Sequence, residues 1–118
     1  MSKMRHFALS LLVCVPIPLL AHHSLEAQFN PKEIVTLKGT VTKVTWGNPH
    51  VHFNVDATDA RGQQQGNWEL EMASPNSLTK SGWNLNTLKP GDRVTVDAYR
   101  ARDGSKIGYA RSVMITGH

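Results

Sequence analysis

The sequence predicts an all-β domain in which five strands form a small closed barrel, with a short helix between the third and fourth strands. Apolar and polar residues alternate with a period of two in five separate segments, as half-buried strands require. Turns rich in glycine, proline and asparagine separate these segments. With 118 residues, of which 40% are hydrophobic, the chain can bury one modest core. We therefore expect a single folded domain.

Residues 1–21 have the pattern of a secretory signal peptide. Lys3 and Arg5 give a positively charged start, an apolar segment follows over 7–15, and a stretch containing two prolines leads to Ala21. The apolar segment is shorter than a transmembrane helix requires. We predict cleavage after Ala21. A buried N-terminal helix is the alternative interpretation.

Removal of the predicted signal peptide would change which metal ligands and charges the mature chain carries. Cys14, the one cysteine, lies inside the predicted signal, and Val13 before it argues against a lipoprotein. The mature chain then has no disulfide, and a metal site in it would use histidine, methionine or carboxylate ligands. Loss of Lys3 and Arg5 lowers the formal net charge from +4 to +2. We expect a periplasmic protein with no stable membrane insertion after cleavage.

The predicted mature chain divides into an N-terminal arm over 22–33 and a barrel domain over 34–118. The first predicted strand covers 34–46, and its apolar residues change parity near 39–43. A bulge is therefore expected there, because a single register would expose half of the apolar residues. A long first strand with a glycine and a change of parity is typical of a strand that serves both sides of a small barrel.

The remaining elements follow from turn signals and alternation. Trp68, Leu70 and Met72 are expected inside the barrel, and Glu69 and Glu71 outside. The predicted elements are a second strand over 50–58, a polar hairpin loop over 59–66, a third strand over 67–73, a helix over 76–81 capped by Ser74, a fourth strand around 94–98 and a fifth over 107–116.

Two apolar groups complete the expected core. Trp83, Leu85 and Leu88 should close one end of the barrel, and Tyr109, Val113 and Ile115 should share one strand face. Three strands, a helix and two strands is the element order of the OB-fold, a five-stranded Greek-key barrel. A simple meander with an added helix is the second possibility.

A set of short motifs extends over nearly the whole mature chain. These are Ala21-His22-His23-Ser24, Leu37-Lys38-Gly39-Thr40-Val41, Trp46-Gly47-Asn48-Pro49-His50-Val51, Ser74-Pro75-Asn76, Gly82-Trp83, Leu88-Lys89-Pro90-Gly91-Asp92-Arg93-Val94 and Ala110-Arg111-Ser112-Val113. Together they resemble a family of small exported bacterial proteins known only as a domain of unknown function. The resemblance implies an exported OB-like domain and brings no established activity. The layout is also similar to periplasmic OB-fold proteins that include a copper and silver metallochaperone, an analogy of architecture alone.

His50 and His52 are the clearest candidates for a metal site. They lie two residues apart on one face of the second strand, so their rings can converge on one ion. Hairpin pairing should bring Glu71 near His52, where Glu69 or Glu71 could supply an oxygen ligand or orient an imidazole. The alternative is that both histidines are polar residues on the wet face of a sheet.

His22 and His23 carry a separate metal signal that depends on the cleavage site. After cleavage at Ala21, His22 would offer an amine and an imidazole to copper. After cleavage at Leu20, His23 would stand at position three, where the amine, two amide nitrogens and the imidazole can bind Cu(II). A flexible polar N-terminus is the alternative. In a combined site, this arm would fold back toward His50 and His52.

Other chemistry has less support in the sequence. Met72 and Met114 could bind Cu(I), although core packing suits Met72 better, and Trp46 could pack or stack on a ligand. No nucleophile motif or phosphate loop is present, so we do not expect an enzyme. The outer face carries Asp56 and Glu69 rather than a basic stripe, which argues against nucleic acid.

The predicted function is therefore an exported binding or adaptor module, with copper as the expected cofactor and an unknown periplasmic protein or small ligand as partner. The alternative is an OB module that binds a protein, peptide or oligosaccharide without metal and has a structural or adaptor role.

Overall fold

The computed structural model describes residues 11–14 and 25–118 of the chain. Within these residues the protein is mostly β-structure, with six strands in one sheet and two short helices, which confirms the predicted all-β class and the predicted helix. The five predicted strands correspond to β2 through β6. The elements are β1 (Leu11–Cys14), α1 (described over 25–28), β2 (Phe29–Thr45), β3 (His52–Thr58), β4 (Gln64–Glu71), α2 (Pro75–Lys80), β5 (Arg93–Ala101) and β6 (Ile107–Gly117).

The strands pair in the order β1-β6-β4-β3-β2-β5, and β5 also pairs with β6. All pairs are antiparallel except β4 with β6, which is parallel. The path of pairings from β6 through β4, β3, β2 and β5 therefore returns to β6. The side chains on the inner side of this path form the main core.

The main core is filled by large apolar side chains from every strand of that path and from α2. Trp68, Leu70 and Met72 are all buried, as the alternation of β4 predicts. Trp46 is half-buried and packs against this core, in keeping with its packing interpretation. The other large contributors include Leu37, Val41, Val51, Phe53, Val55, Leu78, Trp83, Leu88, Val94, Val96, Val113 and Ile115.

Strand β2 is longer than its sequence pattern predicts. It begins at Phe29 rather than at Ile34, because an irregularity between Asn30 and Ile34 lets the strand pass Pro31 and still pair with β5. A second shift in register lies between Val41 and Lys43 in the pairing with β3. This shift is the bulge expected from the change of parity, and it lets β2 pair with β5 and with β3.

Strand β4 also starts earlier than predicted, inside the expected hairpin loop. Its first residue is Gln64, because the loop closes tightly around Asp59. One carboxylate oxygen of Asp59 accepts hydrogen bonds from the backbone N–H groups of Arg61 and Gln63, each at 2.9 Å. Asx turns of this kind shorten a loop without requiring glycine at every position.

Helix α2 has the ends that its sequence predicts. The Ser74 hydroxyl accepts a hydrogen bond from the backbone N–H of Ser77, and Pro75 occupies the first helical position. Gly82 follows with a φ of +96°, a backbone conformation that favours glycine. Leu78 is the buried residue that attaches the helix to the core.

The expected position of Leu85 is wrong. Trp83 and Leu88 are buried as predicted, but the side chain of Leu85 is 63% exposed. The cause is a local turn in which the backbone N–H of Asn84 donates to the Thr87 hydroxyl at 2.9 Å and the Asn84 side chain accepts from Asn86 N–H at 2.7 Å. Leu85 lies at the tip of this turn and points away from the core.

The predicted position of Tyr109, on the same face of the strand as Val113 and Ile115, is also wrong. Ser112 pairs with Asp97 while Ala110 pairs with Ala98, so Arg111 is an extra residue in β6. A bulge of one residue moves the preceding side chains to the other face of the strand. Tyr109 therefore does not join Val113 in the main core.

Tyr109 instead belongs to a second apolar cluster with Leu25, Phe29 and Ala101. The rings of Phe29 and Tyr109 lie 5.9 Å apart at an angle of 56°. Arg102 fastens this segment, since its backbone N–H donates to Gln28 O at 2.9 Å and its side chain donates to Glu26 O at 2.6 Å. The second cluster thus anchors the part of the N-terminal arm that the structure describes.

Strand β1 pairs with the last part of β6, with Leu11 opposite Ile115 and Cys14 opposite Ser112. It lies within the predicted signal peptide, whose cleavage stays a prediction. Most of that signal, and His22 and His23 with it, lie outside the described residues. In the described ranges no helix has the length and apolar character needed to cross a membrane.

Candidate functional site

The outer face of β2, β3 and β4 carries rows of polar side chains. Cross-strand pairing places Thr45, His52 and Glu71 in one row, and Lys43, Asn54 and Glu69 in the next. The rows arise because the intervening residues of β3 and β4 point into the core. His52 therefore faces outward beside Glu71, as the hairpin register predicts.

His50 reaches the same carboxylate from outside the strand. It follows the corner at Asn48 and Pro49, whose peptide bond is cis, and β3 begins only at His52. Val51 between the two histidines is buried, its N–H donates to Ala73 O, and its carbonyl accepts from Met72 N–H. These bonds hold the corner against the end of β4, so His50 also lies at Glu71.

Glu71 is the centre of the site. Its Oε2 lies 2.6 Å from Nδ1 of His50, and its Oε1 lies 3.8 Å from Nε2 of His52. The carboxylate side chain is only 14% exposed, whereas the imidazoles are 36% and 34% exposed. One partly buried carboxylate is thus shared by two more accessible imidazoles. The sequence predicts a supporting role for Glu71, and the structure places it between the two histidines.

The distances between these three side chains can be compared with those between the ligands of a metal ion. Two ligands on one tetrahedral ion lie roughly 3.4 Å apart, given metal–ligand bonds of about 2.1 Å. The 3.8 Å pair of His52 and Glu71 is near that spacing, and the 2.6 Å pair of His50 and Glu71 has hydrogen-bond length. Among the residues that the structure describes, no three His, Cys, Asp or Glu side chains converge as a metal ion requires. A small rotation of His50 would therefore have to accompany metal binding.

Tyr109 is the neighbour of Glu71 on the other side of β4. The parallel pairing of β4 and β6 places the two residues opposite each other, so their side chains share a face of the sheet. Burial raises the pKa of the Tyr109 phenol to about 12, with the charge of Glu71 as the next cause. The phenol therefore stays protonated and neutral beside the carboxylate. Through Tyr109 the site adjoins the second apolar cluster.

Replacing Tyr109 with phenylalanine should reduce the loss of stability at alkaline pH. Between about pH 10 and pH 12 the unfolded chain releases the phenol proton while the folded chain keeps it, because the folded pKa is raised to about 12. The free energy of unfolding should then fall with rising pH, by at most about 1.4 kcal/mol per pH unit for this group. Urea unfolding of both proteins across this range measures the difference in slope.

Tyr99→Phe is the control for loss of a phenol, since Tyr99 lies opposite Tyr109 on β5 and is only the last of the three causes that raise the pKa of Tyr109. It should retain most of the wild-type slope. An unchanged slope in the Tyr109 variant would contradict the assignment.

The two methionines considered as copper ligands are not brought to this site. Met72 is buried in the main core, and Met114 lies five positions beyond Tyr109 along β6, which corresponds to roughly 16 Å of strand. His22 and His23 lie outside the described residues, so their part in a combined site stays a prediction.

A polar groove adjoins His52, and the sequence patterns do not single it out. It is an open groove with a volume of about 430 Å³ on the outer face of the three strands. Its residues are far apart in sequence, and the register of β2 against β3, including the bulge, brings them together. The lining residues are Thr42, Lys43, Thr45, His52, Asn54, Asn67 and Glu69.

Fold and site together define a small, mostly β protein whose outer sheet face carries a cluster of two imidazoles and one carboxylate beside a polar groove. The chain belongs to DUF6152, a family of unknown function, which matches residues 9–110. No curated protein and no solved structure matches it.

Proposed function

We propose that this chain is a small exported binding module with an OB-like barrel that works in the periplasm. The pairing path that returns to β6 supports the barrel, as does the position of α2 between β4 and β5, where the OB-fold carries its helix. The charged start, short apolar segment and Ala21 support export.

We propose further that His50, His52 and Glu71 bind a transition metal ion. The observation that carries this proposal is the approach of both imidazoles to the two oxygens of one carboxylate. In this proposal Glu71 is a direct ligand, and solvent or a further group takes the remaining positions of the ion. The partial burial of the carboxylate keeps its orientation fixed, which favours a defined site over loose surface binding.

Copper suits this ligand set best. Imidazole and carboxylate ligands of the same geometry bind Cu(II) more tightly than the earlier divalent metals or zinc. The N-terminal histidines, His22 and His23, could add a further imidazole or amine nitrogen after cleavage. The strand site does not depend on them.

The second candidate is binding of a protein, peptide or oligosaccharide partner on the same face without metal. It is favoured by the polar groove beside His52. In that function Glu71 would hold His50 by a hydrogen bond and lie beside His52 at 3.8 Å, and replacement of the two histidines would leave metal binding unaffected.

Metal titration of the mature, untagged protein separates the two functions. The chelator-treated wild type should bind one equivalent of Cu(II), and His50→Ala/His52→Ala should lose that equivalent because both nitrogen ligands are removed. Glu71→Gln should weaken binding by about 10-fold to 100-fold, since the neutral amide is a poor ligand. Glu33→Gln removes an exposed carboxylate on β2 and should bind copper like the wild type. Calorimetry and the Cu(II) absorption spectrum measure affinity and ligand type.

Two outcomes would reject the strand site. One is the absence of stoichiometric binding in the intact protein. The other is binding that persists in His50→Ala/His52→Ala and is lost on His22→Ala/His23→Ala or on blocking the N-terminal amine. That second pattern would assign the metal to the N-terminal arm.

A further inference from the structure

The polar groove beside His52 has a charge pattern of its own. In the row Lys43, Asn54 and Glu69, a cation and an anion lie on either side of a neutral amide. Within the described part of the chain, neither the Lys43 ammonium nor the Glu69 carboxylate forms an ion pair or a side-chain hydrogen bond. This distinguishes Glu69 from Glu71, whose carboxylate contacts two histidines. The groove therefore offers two opposite charges without partners.

The spacing of these charges is set by the sheet. Neighbouring strands lie about 4.8 Å apart, so the backbones of Lys43 on β2 and Glu69 on β4 are roughly 10 Å apart. An extended peptide advances about 3.3 Å per residue. The two ends of a peptide of three residues are therefore roughly 10 Å apart, which matches the spacing of the Lys43 and Glu69 backbones. The groove volume of about 430 Å³ lies at the lower end of the range typical for small-molecule sites.

The centre of the row is held in one orientation by a network of amides. Asn54 Nδ2 donates to Asn67 Oδ1 at 2.9 Å, and Asn67 Nδ2 donates to Asp56 Oδ1 at 2.8 Å and to Thr42 Oγ1 at 3.2 Å. These bonds distinguish the oxygen of each amide from its nitrogen. Oδ1 of Asn54 has no donor in the described residues, which leaves an oriented acceptor between the two charges.

We propose that this groove binds a short peptide of about three residues with free ends. The peptide lies across the strands, its ammonium group at Glu69 and its carboxylate at Lys43. Asn54 Oδ1 accepts a hydrogen bond from a peptide N–H between them. Charge-assisted hydrogen bonds at the two ends give both affinity and selection for length. The inference rests on the second candidate function and names its ligand class; it needs no metal, although His52 borders both the groove and the proposed metal site.

The probe is trialanine, added to mature protein from which metal has been removed with a chelator. Calorimetry gives the affinity, and NMR follows the side-chain amide signals of Asn54 and Asn67. We expect saturable shifts of these amide signals. N-acetylation or C-amidation of the peptide should each weaken binding about tenfold, because each removes one charged contact. Dialanine should bind more weakly than trialanine because it cannot span both charges.

Variants of the two charged residues complete the test. Lys43→Met and Glu69→Gln should each weaken trialanine binding about tenfold. In Lys43→Met, C-amidation of the peptide should cause no further loss of affinity. In Glu69→Gln, N-acetylation of the peptide should cause no further loss. Lys80→Met, at the exposed end of α2, is the control and should bind like the wild type. Circular dichroism checks that each variant is folded.

Two results would overturn the inference: no shift of the Asn54 and Asn67 signals with trialanine, or equal binding of the fully blocked peptide. Because the protein is metal-free throughout, these results are independent of the copper titration, and loss of copper binding would leave the peptide result standing.

Discussion

Replacing Gly39 with alanine should lower the free energy of unfolding by about 3 kcal/mol or more, the largest effect we expect from adding a single methyl group. A Cβ at this position would overlap the carbonyl oxygen of Asp56 and lie 2.9 Å from Cγ1 of Val55. The oxygen belongs to the backbone of β3 and cannot rotate away as a side chain could. Strand β2 is also paired with β5 at Gly39, so it cannot retreat without breaking that pairing.

Gly47→Ala is the matched control for this experiment. Apart from its two chain neighbours, no described residue has an atom within 4 Å of a Cβ added at Gly47, so the free energy of unfolding should change by less than about 0.5 kcal/mol. Urea unfolding followed by tryptophan fluorescence measures both variants, since Trp68 and Trp83 are buried. Similar stabilities for the two variants would mean that β2 does not approach β3 as closely as the structure has it.

The same strand shows how far the sequence predicts the fold. The change of parity near Gly39 predicts a bulge, because apolar residues on both parities have to be buried, and the register shift between Val41 and Lys43 confirms it. The alternation of apolar residues in β6 does not predict a bulge. Its bulge at Arg111 is visible only in the pairing with β5, and without it Tyr109 is assigned to the wrong side. Alternation thus reveals a bulge only when it would otherwise expose apolar residues.

The candidate site divides in the same way. The hairpin between β3 and β4 sets Glu71 opposite His52, and this contact is predictable because register and parity are both local properties. The contact of His50 with Glu71 depends on how the corner at Pro49 turns against the end of β4. The groove at Lys43 and Glu69 depends on a third strand that is distant in sequence. Local sequence patterns therefore predict the contact of His52 with Glu71, but neither the contact of His50 with Glu71 nor the groove.

Position in the sheet explains why Glu71 connects several parts of the molecule. It is the last residue of β4, with His52 opposite on β3 and Tyr109 opposite on β6. Tyr109 in turn packs with Leu25 and Phe29 of the N-terminal segment. Glu71 and this segment therefore share one neighbour, Tyr109.

Asp92→Ala should lower the free energy of unfolding by about 2–3 kcal/mol, because it leaves a buried turn without its acceptor. The Asp92 side chain is buried, and its Oδ2 accepts a hydrogen bond from the backbone N–H of Lys89 at 2.9 Å. The same turn is joined to β2, since Val41 N–H donates to Asp92 O and Gly91 N–H donates to Val41 O, each at 2.8 Å. Loss of the carboxylate therefore loosens the start of β5 and its attachment to the bulge of β2. Urea unfolding at neutral pH measures the effect.

Two further variants separate the hydrogen bond from the charge. Asp92→Asn keeps an oxygen for Lys89 N–H and should recover most of the stability lost in Asp92→Ala. His118→Ala removes the partner whose Nδ1 lies 2.9 Å from Asp92 Oδ1. That imidazole is 66% exposed, so its loss should change stability by less than about 1 kcal/mol. If Asp92→Asn is as destabilising as Asp92→Ala while His118→Ala is harmless, the carboxylate charge, rather than its bond to the Lys89 amide, holds the turn. Equal and large losses in Asp92→Ala and His118→Ala would instead assign the stability to the ion pair at the C-terminus.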